Sequence, residues 1–228
     1  MSADLILFYE NGNIKRLFPL NGHLSAFWEE SDEYQLAKEQ SFDFPFGKIT
    51  TKIISISFYE DGKIKDLTLW PKEKIKIPLI PTKVTTRIGL SLYPDASVKS
   101  IEPAYPTKLS TPIGYLLAYD KNANGISGDN NSLQFTKEGK LSSLITSGNK
   151  VTVMRNSHPV ATFSPWQELD VDDTELNFHS LLIEFQDDTV TFNHDASFDI
   201  QTDEFVIELY TAVAVSQCSD CENCSTPC

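Results

Sequence analysis

Apolar and polar residues alternate through most of the chain, the period of two that marks half-buried strands. The clearest stretch is Ile53-Ile54-Ser55-Ile56-Ser57-Phe58-Tyr59-Glu60-Asp61-Gly62-Lys63-Ile64-Lys65-Asp66-Leu67-Thr68-Leu69. Two alternating runs flank Asp61-Gly62, a strong short-range signal for a hairpin with a two-residue turn. That turn makes Glu60 face Lys63, Phe58 face Lys65, Ile56 face Leu67 and Ile54 face Leu69 on one side of the ribbon. Ser57 opposite Asp66 and Ser55 opposite Thr68 then fall on the other side. A slip of one residue would mix the two faces, so the pattern itself specifies the pairing.

Related phrases recur. Leu5–Leu17 turns at Asn11-Gly12, Leu20–Trp28 at Asn21-Gly22, Ile88–Ile101 at Asp95-Ala96 and Leu133–Leu144 at Glu138-Gly139. The equivalent turn positions Gly12, Gly62, Ala96 and Gly139 lie 50, 34 and 43 residues apart, so this is a degenerate hairpin repeat with insertions rather than a strict solenoid. Ser31 predicts the N-cap of a short helix from Asp32 to Glu39, with acidic residues in its first turn. Phe42, Phe44 and Phe46 return the chain to β structure, while Pro71, Pro78 and Pro81 predict edges or connections.

From Val151 onward the runs Val151–Met154, Val160–Phe163, Leu181–Phe185, Val190–Phe192 and Phe205–Val215 read as strands between acidic turns. The last run is long and apolar enough to predict a central strand. The fold class is therefore mostly β: consecutive antiparallel hairpins forming an extended sheet (1–155), a compact acidic β region (156–216) and a short Cys-rich tail (217–228).

The segments Phe8-Tyr9-Glu10-Asn11-Gly12-Asn13-Ile14-Lys15, Leu20–Trp28 and Phe58-Tyr59-Glu60-Asp61-Gly62-Lys63-Ile64-Lys65 resemble the bacterial variant of MORN repeats. The resemblance covers about a third of the chain, in pieces between residues 5 and 144. It implies successive antiparallel hairpins that serve as interaction or scaffold surfaces.

Charge divides the chain. All 19 Lys and Arg lie at or before Arg155 beside 17 acidic residues, a balance of +2; the remainder carries 15 acidic residues and no Lys or Arg, a balance of −15. Nucleic-acid binding needs a basic footprint that this total of −13 does not offer. The acidic third reads as a solubilising surface or as a docking face for a basic protein partner. No apolar run approaches the roughly 20 residues of a membrane span. The opening residues lack a basic segment ahead of their short apolar run, so the expected location is cytoplasmic.

All four cysteines fall in the last eleven residues, with the spacing C-x2-C-x2-C-x3-C: Cys218, Cys221, Cys224 and Cys228. The run resembles the cluster-binding segment of bacterial ferredoxins. Closely spaced thiolates can wrap a short loop around an iron–sulfur cluster or zinc. An unliganded tail and thiol exchange through the C-x-x-C pairs are the alternatives. A second candidate is Asp120-Lys121-Asn122-Ala123-Asn124-Gly125-Ile126-Ser127-Gly128-Asp129, where Asp120, Asn122, Asn124 and Asp129 supply oxygens in the order of a calcium loop. Position twelve is Asn131 rather than a bidentate Glu, and an ordinary Asn-Gly connection is the competing reading. His23, His158, His179 and His194 belong to no catalytic motif, although His194-Asp195 could orient an imidazole; surface histidines are the simpler reading.

The function expected is a non-enzymatic protein-interaction or scaffold module carrying a cysteine metal site. A redox accessory using a four-cysteine iron–sulfur cluster is the first alternative, and a hydrolase with an unrecognised site the second.

Overall fold

A computed structural model describes residues 3–20, 30–79, 82–123, 131–169 and 176–211. The described chain runs β1 (Leu5–Phe8), β2 (Ile14–Phe18), α1 (Glu30–Leu36), β3 (Gln40–Phe44), β4 (Gly47–Thr51), β5 (Ile53–Phe58) and β6 (Ile64–Leu69). Then follow β7 (Ile75–Leu79), β8 (Thr82–Leu92), β9 (Val98–Pro103), β10 (Thr107–Thr111), β11 (Gly114–Ala118), β12 (Leu133–Phe135), β13 (Leu141–Thr146) and β14 (Asn149–Arg155). The remainder is β15 (His158–Phe163), β16 (Trp166–Leu169), β17 (Leu176–His179), β18 (Leu181–Gln186), β19 (Thr189–Phe192), β20 (Ala196–Asp199) and β21 (Glu204–Leu209). The protein is mostly β, and its dominant element is a twelve-stranded antiparallel sheet in the order β1-β2-β5-β6-β8-β9-β12-β13-β18-β19-β20, with β7 paired to β8 beside that path. Five sequence-adjacent hairpins thus lie side by side.

The alternation read from the sequence becomes two rows that cross the sheet from strand to strand. On one face, Leu17, Ile56, Leu67, Leu90, Ile101, Leu133, Leu144, Ile183 and Phe192 are successive cross-strand partners. All nine are buried, and each contributes about 1.5–3 kcal/mol by leaving water. One residue along, on the other face, the partners are Arg16, Ser57, Asp66, Ser91, Ser100, Gln134, Ser143, Glu184, Thr191 and Ser197. Polar groups in and beside this row satisfy one another across strands: Ser91 bonds Ser100, Asn131 Nδ2 donates to Ser100 Oγ at 3.1 Å, and Ser55 Oγ donates to Thr68 Oγ1 at 3.2 Å.

Smaller sheets complete the core. Phe42 and Ile49 of the β3–β4 hairpin, Leu116 of β11, and Val151 and Val153 of the β15-β14-β21 sheet join the apolar row in one cluster. Phe163 stacks on Phe192 with ring centres 4.2 Å apart. Gly89 sits where β8 presses on β6; a Cβ there would lie 2.2 Å from the Leu67 carbonyl oxygen, so only glycine fits the crossing.

The sequence-derived register holds in the middle of the β5–β6 hairpin, where Ser55 pairs with Thr68, Ile56 with Leu67 and Ser57 with Asp66. It is wrong at both ends. Phe58 pairs with Ile64 and Ile53 with Leu69, each displaced by a bulge. The tip is a three-residue loop: Gly62 N donates to Tyr59 O at 2.9 Å and Tyr59 N to Lys63 O at 2.8 Å, with Gly62 at φ 82°. A type I turn followed by a left-handed residue has this pattern, and the extra residue shifts the pairing by one.

Two further expectations need correction. Helix α1 begins ahead of Ser31, which is therefore not its cap, and ends at Leu36 rather than Glu39; the acidic first turn is present as Glu30, Asp32 and Glu33. Strand β21 is not central. Among the described residues it pairs only with β14 and forms an edge of the three-stranded sheet, with alternate residues exposed. Residues 212–215 of the expected run Phe205–Val215 lie outside the described residues, and apolar content alone does not set which neighbour a strand takes. Pro78, by contrast, lies in β7, which pairs on one side only, as a residue without an N–H donor requires.

The large sheet continues across residue 155, the expected end of the hairpin region, because β18 pairs directly with β13. The second Asn-Gly phrase at residues 21–22 and the tail 217–228 lie outside the described residues.

Candidate interaction surface

The four glycine- or alanine-tipped hairpins share one turn. Gly12 N donates to Tyr9 O, Gly62 N to Tyr59 O, Ala96 N to Tyr93 O and Gly139 N to Thr136 O, all at 2.8–3.0 Å. The left-handed residues Gly12, Gly62, Ala96 and Gly139 have φ of 84°, 82°, 65° and 79°. In the first three turns a carboxylate or amide oxygen two residues before the loop closes (Asn11, Asp61, Asp95) accepts the backbone N–H of Asn13, Lys63 or Ser97, the local bond for which Asn and Asp are favoured in turns.

The residue that opens these turns ties the stack together. Tyr9 donates its hydroxyl to the Phe58 carbonyl, Tyr59 to the Leu92 carbonyl and Tyr93 to the Phe135 carbonyl, each at 2.8 Å. Each acceptor immediately precedes the opening residue of the next turn, so every tyrosine reaches one hairpin forward. Thr136 stands where a fourth tyrosine would continue the series. Sequence reasoning aligned the glycines and missed this link, although its signal is visible: an apolar residue, then tyrosine, three positions before each turn residue.

Beside the tips lies a cleft of about 660 Å³, within the range of a ligand-binding pocket. Its apolar walls are Phe46, Leu79, Val98 and Phe135, and Pro45, Pro78 and the Ala96 and Gly139 turns also line it. Phe42, Phe44 and Phe46 of the β3–β4 hairpin stack in succession, with ring centres 6.2 and 5.0 Å apart, and belong to or pack against the core cluster. Asp95 and Glu138 stand on the rim. Hydrogen bonds from the Ser97 hydroxyl and backbone hold the Asp95 carboxyl below its ordinary range, and the neighbouring Thr136 side chain lowers that of Glu138. Both are ionised at neutral pH, so the mouth of an apolar cleft bears two negative charges.

The residues singled out for calcium are only partly brought into view. Asp120 Oδ1 accepts the Asn122 backbone N–H at 3.0 Å and the Ser180 hydroxyl at 2.7 Å, while the Asn122 side-chain amide donates to Phe178 O. These bonds fasten the start of the loop to the β17–β18 connection. The loop's two ends are also clamped from β8 and β9. Arg87 Nη2 donates to Asp120 O at 2.7 Å, and Glu102 Oε2 accepts Ser132 N at 2.7 Å. Burial pushes the Glu102 carboxyl up against the opposing effect of the Ser132 bond. Asn124, Asp129, Cys218, Cys221, Cys224 and Cys228 lie outside the described residues. Among the described residues, no three His, Cys, Asp or Glu side chains gather so as to hold a metal ion.

His179 and His194 each pair with one carboxylate, and His23 lies outside the described residues. His194 Nδ1 lies 2.8 Å from Glu184 Oε2, and His179 Nε2 lies 3.1 Å from Glu168 Oε1 while its ring stacks on Trp166 at 4.0 Å. Both pairs are at least partly open to solvent. No described helix is long and apolar enough to cross a membrane. Comparison with protein-family models, with curated proteins and with solved structures finds no match.

Proposed function

We propose that this protein is a non-enzymatic, cytoplasmic interaction module built on MORN-type hairpin repeats. Its cleft at the hairpin tips receives an apolar side chain of a protein partner, with an adjacent Lys or Arg against the rim. The observation that carries the reading is the make-up of that cleft: apolar walls of Phe46, Leu79, Val98 and Phe135 together with the ionised, exposed Asp95 and Glu138. Such a combination selects an apolar anchor by burial and a basic neighbour by charge. The repeated turns and tyrosine links support the scaffold part of the proposal, since they give a rigid backbone on which exposed tips can differ. In this reading Cys218, Cys221, Cys224 and Cys228 hold zinc or an iron–sulfur cluster as a separate element.

Affinity capture with the full chain tests the cleft. Asp95→Lys with Glu138→Lys reverses the rim charge at exposed positions, and the variant should melt within a few degrees of the parent yet lose its partner. Unchanged capture by the variant would remove the cleft from consideration. Metal analysis and a visible spectrum after anaerobic purification test the tail independently, and a metal-free, colourless protein rejects that part.

A further inference from the structure

The two ends of the large sheet are finished differently. At one end β20 carries Ala196, Ser197, Phe198 and Asp199, with Asp195 just ahead. Phe198 is turned inward against Phe163 and Phe192. Both edge strands are four residues long, and flanking charge is one way such edges are commonly protected from further pairing. At the other end, β1 is Leu5-Ile6-Leu7-Phe8, without a charge or a proline. Among the described residues no strand lies on its outer side. Ile6, Leu7 and Phe8 are 37%, 43% and 58% exposed, and Ile14 of the adjoining strand is 38% exposed.

The edge also interrupts a lattice. Ile6 pairs with Leu17 and so begins the apolar row, while Leu7 pairs with Arg16 and begins the polar one. Phe8 occupies the position of Phe58, Leu92 and Phe135, whose carbonyls each receive a tyrosine hydroxyl from the preceding hairpin. No hairpin precedes Phe8 in the described sheet.

We infer that β1 is the interface of a homodimer, in which it pairs antiparallel with β1 of a second copy across a twofold axis. A twofold contact matches each strand with itself, and Leu5–Phe8 is apolar throughout, so self-pairing sets no charge against its like. The charge distribution favours this edge over the opposite one. The −15 portion of the chain supplies β18–β20. Ten strand spacings of about 4.8 Å place that edge up to roughly 50 Å from β1, several screening lengths at physiological salt. Joining through β1 keeps the two acidic ends farthest apart.

Light scattering on the full-length protein at micromolar concentration should give twice the chain's 25.6 kDa. Leu7→Lys, which puts a charge on the exposed edge, should shift it to the single-chain mass with an unchanged circular dichroism spectrum. Hydrogen exchange of the parent protein is the control that needs no variant: amides of residues 5–8 should gain at least tenfold protection between nanomolar and high-micromolar concentration. A single-chain mass at every concentration overturns the inference. So does a dimer that survives Leu7→Lys with residues 5–8 exchanging independently of concentration, or a series of open-ended oligomers. None of these outcomes bears on the cleft, which lies on other strands.

Discussion

Ala96 holds a left-handed backbone at φ 65° in a turn whose three counterparts use glycine. An L side chain in that region costs about 1–2 kcal/mol, more than the roughly 0.5–1 kcal/mol of extra chain entropy that glycine loses on folding. Ala96→Gly should therefore raise the melting temperature, by up to about 1 kcal/mol in stability. Gly62→Ala should lower it by a similar amount, because a Cβ at Gly62 meets nothing within 4 Å and only the backbone preference is at stake. Paired thermal melts read both. At this scale the sequence was informative about where each turn falls and silent about its class. Asp61-Gly62 suits a two-residue turn as well as a three-residue one, and the choice rests on the twist and the bulge that follow. The side chains of Asp120 and Asn122 show a similar ambiguity: groups spaced for a cation are equally able to fasten a loop, and here Asp120 Oδ1 accepts from the Ser180 hydroxyl while the Asn122 amide nitrogen donates to the Phe178 carbonyl.

Between elements, the tyrosine hydroxyls matter more than their number suggests. Each joins two hairpins at their tips, where the strand ladder has already ended. Tyr59→Phe removes one such bond and leaves the ring in place. The expected loss is about 0.5–1.5 kcal/mol, read by denaturant titration, with the strand signal in the far-ultraviolet retained. A change smaller than the error of the titration would mean that solvent replaces the hydroxyl without loss. Individual hairpins could be read from alternation, since Ile56 and Leu67 or Ser57 and Asp66 can only share faces in one register. What joins one hairpin to the next was not readable. It depends on cross-strand neighbours 33 to 49 residues apart and on a close approach such as Gly89 against the Leu67 carbonyl.

At the scale of the whole molecule, the smaller three-stranded sheet carries a charged pair. Arg155 Nε and Nη2 donate to the two oxygens of Asp203 at 2.8 and 2.9 Å, joining the end of β14 to the turn before β21. The Arg155 guanidinium holds the Asp203 carboxyl below its ordinary range despite its burial. An unfolded aspartate titrates near pH ~3.9. Because the folded value is lower, the stabilisation is complete above that pH and fades as pH falls through the folded value. Asp203→Asn should melt below the parent at pH 7, and the gap should narrow as the pH drops under about 4. A gap independent of pH would assign the effect to packing instead. At this scale sequence and structure part most clearly. The strands after Val151 were legible as strands, but their division was not: β18–β20 extend the hairpin sheet while β14, β15 and β21 form a sheet of their own. Apolar content alone does not say which partner a strand takes, and the edge position of β21 follows from its neighbours.

The order of the hairpins along the sheet follows the order of synthesis, and that has a kinetic consequence. Each of the first four ribbons can close on itself as soon as about a dozen residues of it have left the ribosome, then dock on the ribbon already formed. Three dockings are delayed, because α1 with β3–β4, then β10–β11, then β14–β17 must emerge before the second, fourth and fifth ribbons. For the time taken to make those residues β2, β9 and β13 are in turn growing ends without a neighbour, the moments at which a nascent chain is most open to pairing with the wrong strand.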